Sequence, residues 1–235
     1  MLPALIGLTA AAAASAAGYQ SMAPTGQWFG RTFTGGIRGS KQIALTYDDG
    51  PNDGHTANLL EVLAKHDVRA TFFMIGSYVR QRPAIARAVS QAGHVIGNHT
   101  FTHPRLIFKS AAQTRIQISD CHSALQDAVG DHSSLFRPPF GGRRPSTLRI
   151  ASQRGLQTVM WNVGGHDWKD WPAAVIEKKI GQQIRGGDVI LMHDGSHRAI
   201  GADRAQTVIA TDNLIRRYTD EGYKFVTVTE LIANG

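Results

Sequence analysis

Two segments of the sequence carry residue types that bind metals and transfer protons. Asp48 and Asp49 are adjacent and follow an apolar run, while His99 and His103 are four residues apart. Two histidines at this spacing can reach one metal ion, and a carboxylate completes an Asp-His-His set. Such a set leaves positions open for water and substrate, which is typical of a catalytic metal site. Each segment alone has a simpler interpretation, an Asx turn before Gly50 and a pair of surface histidines.

Three later segments carry polar or aromatic groups at the ends of other apolar runs. Arg137 begins a loop that contains two prolines and two glycines. The prolines restrict the path of the backbone, and the glycines allow a ligand to come close to it. The pair Asp167-Trp168 and the single His193 follow further apolar runs. Taken singly, the loop could be a tight basic surface turn and the others isolated polar residues. The same placement in all five segments indicates one shared site.

The chain between these groups alternates between strand-like and helix-like patterns. Apolar, β-rich runs predict strands at residues 41–47, 69–75, 94–97, 134–137, 157–162, 188–192 and 224–228. Helical spacing predicts helices at residues 56–66, 83–92, 111–129, 145–154, 172–185 and 204–221. About seven such units without repeats or linkers predict one parallel α/β domain with a barrel-like sheet. Active sites of these folds lie at the carboxyl ends of the strands, so the five segments are expected to meet there.

The five segments resemble, in order, the five motifs of the polysaccharide deacetylases. This is carbohydrate esterase family 4, whose members share a chitooligosaccharide (NodB-type) deacetylase domain. The matching segments are Thr46-Tyr47-Asp48-Asp49-Gly50, His99-Thr100-Phe101-Thr102-His103-Pro104, Arg137-Pro138-Pro139-Phe140, Asp167-Trp168 and Leu191-Met192-His193. The resemblance covers roughly residues 41–232. It implies a distorted (β/α) barrel of about seven parallel strands, a divalent metal and removal of N-acetyl groups from glycans. The implied metal is usually zinc, with cobalt as an alternative.

The resemblance also implies roles for the residues of the first three motifs. Asp49, His99 and His103 would be the metal ligands. Asp48 would be the general base that takes a proton from the water on the metal. Arg137 would orient Asp48 and hold it ionised through a charge-assisted pair.

The remaining motifs would supply the acid and the substrate pocket. His193 would be the general acid that protonates the leaving amine. Leu191 and Trp168 would form the walls of a small pocket for the acetyl methyl group. The backbone N–H of Phe140 would help to hold the oxyanion.

One position departs from the family pattern. Many relatives carry an acidic residue three positions before the Asp-Trp pair, and this chain has Gly164 there. Asp167 or another group is therefore expected to tune His193. The histidines that match no motif are interpreted as structural or surface residues; they are His55, His66, His94, His122, His132, His166 and His197.

Three functional hypotheses follow from these residues. The first is an N-deacetylase acting on glycans that contain N-acetylglucosamine, such as peptidoglycan, chitin oligomers or exopolysaccharide. The second is an esterase that uses the same groups on O-acetylated polysaccharides. The third is an inactive glycan-binding domain, which would be expected to have lost a base, a ligand or the acid.

Composition excludes several other classes of protein. Of the 235 residues, 42% are hydrophobic, which disfavours disorder, and the single cysteine, Cys121, excludes a disulfide scaffold. A net charge of +7 attracts polyanions, but the positive charges are scattered and no nucleic-acid-binding motif accompanies them. We expect a monomer that binds an acetylated glycan and no nucleic acid.

The first thirty residues predict export. They contain no charged side chain, and residues 2–17 are nearly all apolar or small. This pattern indicates a signal peptide, or a membrane anchor, with a linker at residues 1–30, followed by the catalytic domain at 31–235. The protein is then expected in the periplasm, outside the cell or anchored to the membrane. The alternative is an alanine-rich helix buried in the domain.

Overall fold

A single parallel sheet organises the domain. The computed structural model describes residues 15–235 and contains, within that range, eight strands. They are β1 (Gln42–Gly50), β2 (Thr71–Met74), β3 (Val95–Asn98), β4 (Leu135–Phe136), β5 (Gln157–Thr158), β6 (Val163–Gly164), β7 (Asp188–His193) and β8 (Lys224–Phe225). The order is β5-β4-β3-β2-β1-β7-β6, with β8 paired to the start of β1, and every ladder is parallel.

Helices surround this sheet. They are α1 (residues 15–22), α2 (His55–Lys65), α3 (Gly76–Gln81), α4 (Pro83–Gln91), α5 (Ala111–Val129), α6 (Pro145–Gln153), α7 (Ala173–Gly181), α8 (Ala205–Asp220) and α9 (Val228–Ala233). Two short 3₁₀ turns lie at Leu106–Phe108 and Pro139–Gly141. The alternation of strand and helix confirms the predicted distorted (β/α) barrel.

β1 is the central strand because both of its faces are apolar. Ile43, Leu45 and Tyr47 pack on one side in the main core with residues of α2 and α8. Ala44 points to the other side and packs with Phe73 in the barrel interior. Burial of a large apolar side chain contributes about 1.5–3 kcal/mol, so this strand is a rigid support for the residues at its end.

The predicted strand at 157–162 is wrong in its extent. β5 ends at Thr158, and the next two residues pair instead with an extended segment near the N-terminus. Phe33 forms a parallel bridge with Val159, and Gly35 forms an antiparallel bridge with Asp188 at the start of β7. These bridges span the gap between β5 and β7. The barrel is distorted at this point because single bridges replace a full strand.

Part of the predicted leader lies within the described residues. Arg143 is fully buried, and its guanidinium donates hydrogen bonds to the carbonyls of Ala23 and Gly26 at 2.8 and 2.5 Å. Residues 23–26 therefore pack against the domain. Residues 1–14, which carry most of the predicted signal or anchor, lie outside the described range. Within residues 15–235, no helix is both long and apolar enough to cross a membrane.

Candidate active site

β1 ends in a β-bulge that turns two consecutive carboxylates into one cavity. The register against β2 steps from Asp48 opposite Phe73 to Gly50 opposite Met74, so Asp49 is the extra residue. Its φ of 72° lies in the left-handed region. In a regular strand Asp48 and Asp49 would point to opposite faces. Here both line the same cavity, while each keeps its own partners.

Asp48 is paired with a completely buried arginine. The Nη1 atom of Arg137 lies 2.8 Å from Asp48 Oδ1 and also donates to the hydroxyl of Thr46 at 2.8 Å. The other guanidinium nitrogens donate to the carbonyls of Val159 and Met160. Burial lowers the pKa of Arg137, and the charge of Asp48 opposes that decrease. The guanidinium is thus a fixed cation that orients one carboxylate oxygen.

The predicted metal ligands are brought together by a tight turn after β3. Within this turn Asn98 Oδ1 accepts the Thr100 N–H, and the Thr100 hydroxyl accepts the His103 N–H. Thr100 and His103 both have positive φ, at 67° and 56°. One donor atom each from Asp49, His99 and His103 lies within 4.8 Å of the others.

The unpaired atoms of this cluster fit a divalent cation. Asp49 Oδ1 is buried and, within residues 15–235, accepts no hydrogen bond, although His103 Nε2 is 3.1 Å away. His99 Nδ1 lies 2.8 Å from the Arg137 carbonyl and would donate to it, which leaves Nε2 free 3.6 Å from Asp49 Oδ1. One carboxylate and two imidazole nitrogens are the donor set of a catalytic zinc site.

Burial and local contacts together hold both kinds of ligand in their metal-binding forms. It lowers the pKa of His99 to about 4, which keeps the imidazole neutral. Burial also raises the pKa of Asp49, but contacts with His103 and His197 outweigh it and hold the pKa well below its ordinary value. Neutral imidazole and ionised carboxylate are the states that coordinate metals.

A second histidine–aspartate pair lies at the end of β7. His193 Nδ1 is 2.9 Å from Asp167 Oδ1, and the His193 N–H donates to Asp167 Oδ2 at 2.7 Å. The hydroxyl of Thr207, on α8, donates to the same Oδ2 atom at 2.9 Å. Burial lowers the pKa of His193, but the charge and hydrogen bond of Asp167 outweigh it and raise the pKa to about 9. This imidazole is protonated at neutral pH.

A cavity of about 590 Å³ connects these groups. It is lined by Asp48, Asp49, His99, His103, Phe140, Trp168, Leu191 and His193, whereas Arg137 and Asp167 lie behind it. The Trp168 ring packs edge-on against His193 at 5.3 Å and is 44% exposed, while Leu191 is buried. Phe140 has a φ of 57° and its ring lies 4.6 Å from that of His103. The structure therefore places all ten predicted site residues in or directly behind one cavity.

His197 belongs to this cluster, although the sequence predicts a structural or surface residue at this position. Its N–H donates to Asp49 Oδ2 at 3.1 Å, and its ring stacks on His103 at 4.7 Å. The loop after β7 comes this close because Gly195 lies against the Asp49 carbonyl, where a Cβ would be 2.1 Å away. The only signal in the sequence was the position of His197, four residues after His193.

Few atoms surround Gly164, the position that departs from the family pattern. A Cβ built on Gly164 would meet only the Trp161 ring, at 3.9 Å. The direct partner of His193 at this end of the barrel is Asp167, three residues later. The glycine thus leaves space beside Trp161.

Comparison with known proteins places the chain among enzymes of one family. The model of the family described as "Polysaccharide deacetylase" matches residues 35–159, just over half of the chain. The peptidoglycan-N-acetylglucosamine deacetylase of Bacillus cereus is 36% identical over 195 residues, covering 82% of this chain and 88% of the relative.

Two further similarities extend this finding. The peptidoglycan-N-acetylglucosamine deacetylase PgdA of Listeria monocytogenes is 34% identical over 82% of this chain, which spans only 39% of that relative's length. A solved structure of a peptidoglycan N-acetylglucosamine deacetylase superposes with a TM-score of 0.81 at 32% identity. That superposition covers 85% of this chain and 92% of the other.

Proposed function

Because the chain belongs to the polysaccharide deacetylase family, we propose that it is a metal-dependent hydrolase that removes N-acetyl groups from glycans containing N-acetylglucosamine. One observation carries this proposal: an arginine-held carboxylate, a metal-ligand set and a protonated histidine all face one cavity. An inactive glycan-binding domain would be expected to lack one of these groups, and this chain has all of them.

The metal would be held by Asp49, His99 and His103, and we propose zinc, with cobalt able to replace it. A divalent cation bound there would polarise the acetyl carbonyl and lower the pKa of a water molecule towards about 7. The backbone N–H of His197 fixes Asp49 Oδ2 and so leaves Oδ1 to the cation. The contact between His99 Nδ1 and the Arg137 carbonyl similarly presents Nε2.

Asp48 is proposed as the general base. Arg137 holds its Oδ1 atom, so the second oxygen, 3.7 Å from His99 Nε2, faces the metal cluster and can accept a proton from the attacking water. The cost of burying the arginine is offset by its hydrogen bonds and by the charge of Asp48. A positioned base of this kind typically contributes about 10²–10⁴-fold to the rate.

His193 is proposed as the general acid. An amide nitrogen must gain a proton before it can leave, and His193 is protonated at neutral pH because of Asp167. The contact of Nδ1 with Asp167 directs Nε2 towards the cavity. The donated proton would come from this Nε2 atom.

The acetyl group would sit beside Leu191 and Trp168 in the cavity. Leu191 and Trp168 supply apolar surface next to His193, as required for the methyl group. The N–H of Phe140, which lies in a turn with a left-handed conformation, is proposed to donate to the oxyanion.

We propose in addition that the protein is exported. Its glycan substrates would then be found at the cell surface, and the uncharged residues 1–30 are consistent with a signal or anchor. Fusion of these residues to a reporter that is active only outside the cytoplasm tests this point. A reporter that stays inactive would contradict it.

The function is tested by acetate release from N-acetylglucosamine oligomers and from peptidoglycan. Metal-stripped protein is compared with and without added zinc or cobalt, alongside Asp48→Asn. We expect metal to restore release, and the substitution to reduce it by about 10²–10⁴-fold while metal binding persists. Failure to bind metal, or release that does not depend on Asp48, would contradict the proposal.

A further inference from the structure

The cavity contains arginines that the proposed reaction does not use. Arg105, Arg198 and Arg204 all line it. Arg204 is engaged, since its Nε donates to the Gly195 carbonyl at 2.7 Å. Among the residues that the structure describes, Arg105 and Arg198 have no carboxylate within 4.0 Å. These two side chains are therefore cations available to a ligand.

Arg105 differs from Arg198 in being held in place. Its guanidinium carbon lies 4.3 Å from the centre of the Phe140 ring. That ring in turn contacts the imidazoles of His103, at 4.6 Å, and His197, at 5.0 Å. A guanidinium stacked on an aromatic face keeps its N–H groups free at its edge and loses less conformational freedom when it binds.

Residues of both charges line the cavity. Arg105 belongs to the side that carries His103, one of the metal ligands. Of the acidic residues on the rim, Asp203 is 3.3 Å from His55, and Asp170 lies two residues after Trp168, which packs against His193. The positioned cation is thus linked to the metal ligand His103 through the Phe140 ring.

We propose that Arg105 forms a subsite for a carboxylate of the glycan, so that the preferred substrate is acidic rather than neutral. A planar guanidinium edge matches a carboxylate in a bidentate pair. The carboxylate would be carried by a sugar next to the N-acetylated sugar that reacts, or by a peptide attached to it. The inference rests on the proposed function, and the net charge of +7 is consistent with it.

Four probes separate the sources of the carboxylate. The first is the neutral N-acetylglucosamine tetramer. The second is a peptide-free tetrasaccharide alternating N-acetylglucosamine with N-acetylmuramic acid, and the third is the same compound with its carboxylates converted to methyl amides. The fourth carries stem peptides, in which the sugar carboxylates are already amides and the free carboxylates belong to the peptide.

The measured quantity is the ratio of kcat/KM for the second probe to that for the third, using zinc-loaded protein. We expect wild-type protein to prefer the acid by about tenfold or more, and Arg105→Gln to lose that preference through KM. Arg105→Lys should keep part of it, because charge remains but the bidentate geometry is lost. Arg198→Gln is the matched control and should retain the ratio. A preference for the fourth probe over the third would assign the carboxylate to the peptide.

Several results would overturn the subsite. Equal use of the second, third and fourth probes by wild-type protein, or a preference for the carboxylate that is unchanged in Arg105→Gln, would contradict it. Equal losses in Arg105→Gln and Arg198→Gln would replace it with a general effect of positive charge. If no probe released acetate, the proposed function would fail. The ratio of the Kd values for the second and third probes, measured by tryptophan fluorescence in the same variants, would then test the subsite independently of catalysis.

Discussion

Two regions of the cavity pair histidine with aspartate and reach opposite protonation states. The ligand wall, made of Asp49, His99 and His103, holds a neutral imidazole, because burial lowers the pKa of His99 to about 4. The acid wall, made of Asp167 and His193, holds a cation whose pKa is about 9. The same two residue types, histidine and aspartate, therefore perform different chemistry in the two regions.

The difference follows from the balance between burial and the carboxylates that contact each histidine. Near His99, the charge of Asp48 is paired with the buried guanidinium of Arg137. In the acid wall, the only charged partner of Asp167 within residues 15–235 is His193, and its other contacts are N–H and hydroxyl donors. At His193 the charge and hydrogen bond of Asp167 outweigh burial and the histidine is protonated, whereas at His99 burial outweighs the charges of Asp48 and Asp49 and the imidazole is neutral.

Substituting a residue of the ligand wall should have the largest effect on metal binding and kcat. Asp49→Asn takes away the only anionic ligand, so we expect bound metal to fall well below one ion per chain and kcat to fall by at least about 10³-fold. Metal content is measured by mass spectrometry of desalted protein. Asp53→Asn is the matched control, because Asp53 is exposed and pairs with Arg82 outside the cavity. Normal metal binding by Asp49→Asn would contradict the assignment.

Removing the general acid should lower the rate on amide substrates far more than the rate on ester substrates. We expect His193→Ala to lower kcat on an N-acetylated oligosaccharide by about 10²–10³-fold, since the amine cannot leave unprotonated. The loss on an O-acetylated substrate should be far smaller, because an alkoxide is a better leaving group than an amide anion. Comparing the two rates in one variant checks this. Equal losses on both substrates would rule out His193 as the acid for nitrogen.

Removing the negative charge of Asp167 should shift the pH at which His193 loses its proton. Wild-type kcat is expected to fall as pH rises through about 9, where His193 loses its proton. In Asp167→Asn that fall should shift to lower pH, with a loss of about 10–100-fold at neutral pH. A pH–rate profile of both proteins tests it, and coincident alkaline limbs would contradict it.

The same pair has a predictable effect on stability. The pKa of His193 is raised on folding, so its stabilisation is complete below the ordinary histidine pKa of about 6.5 and is lost as pH rises through about 9. Asp167→Asn should therefore lower Tm more at pH 6 than at pH 10. Thermal unfolding at the two pH values measures this difference.

The smallest effect on kcat is expected from removing the hydroxyl of Thr207, which donates to Asp167. Thr207→Val removes one hydrogen bond to Asp167 Oδ2 with little change in shape, so we expect kcat to fall by about two- to tenfold. Thr207→Ser keeps the hydroxyl and should keep the rate. A loss in the serine variant equal to that in the valine variant would point to packing instead.

The fold was largely predictable because its signals are local. The apolar runs that form β1, β2 and β7 and the spacing that forms α5 lie within short windows of sequence. The carboxyl ends of parallel strands meet at one edge, so His99, Arg137 and His193 could be assigned to one site without coordinates. The closure of the barrel by Phe33 and Gly35 could not, because it consists of isolated bridges to residues more than 120 positions away.

The residue types and their spacing along the chain already specify the chemical groups and the strand ends that carry them. The bulge at Asp49, the contact of His197 with that carboxylate and the opposite protonation states of His99 and His193 arise only in the folded chain. These properties depend on burial and on pairs distant in sequence, such as Arg137 with Asp48, 89 residues apart, and His193 with Asp167, 26 apart. A pKa follows from the distance and the solvation of such partners, and neither is encoded in a local pattern.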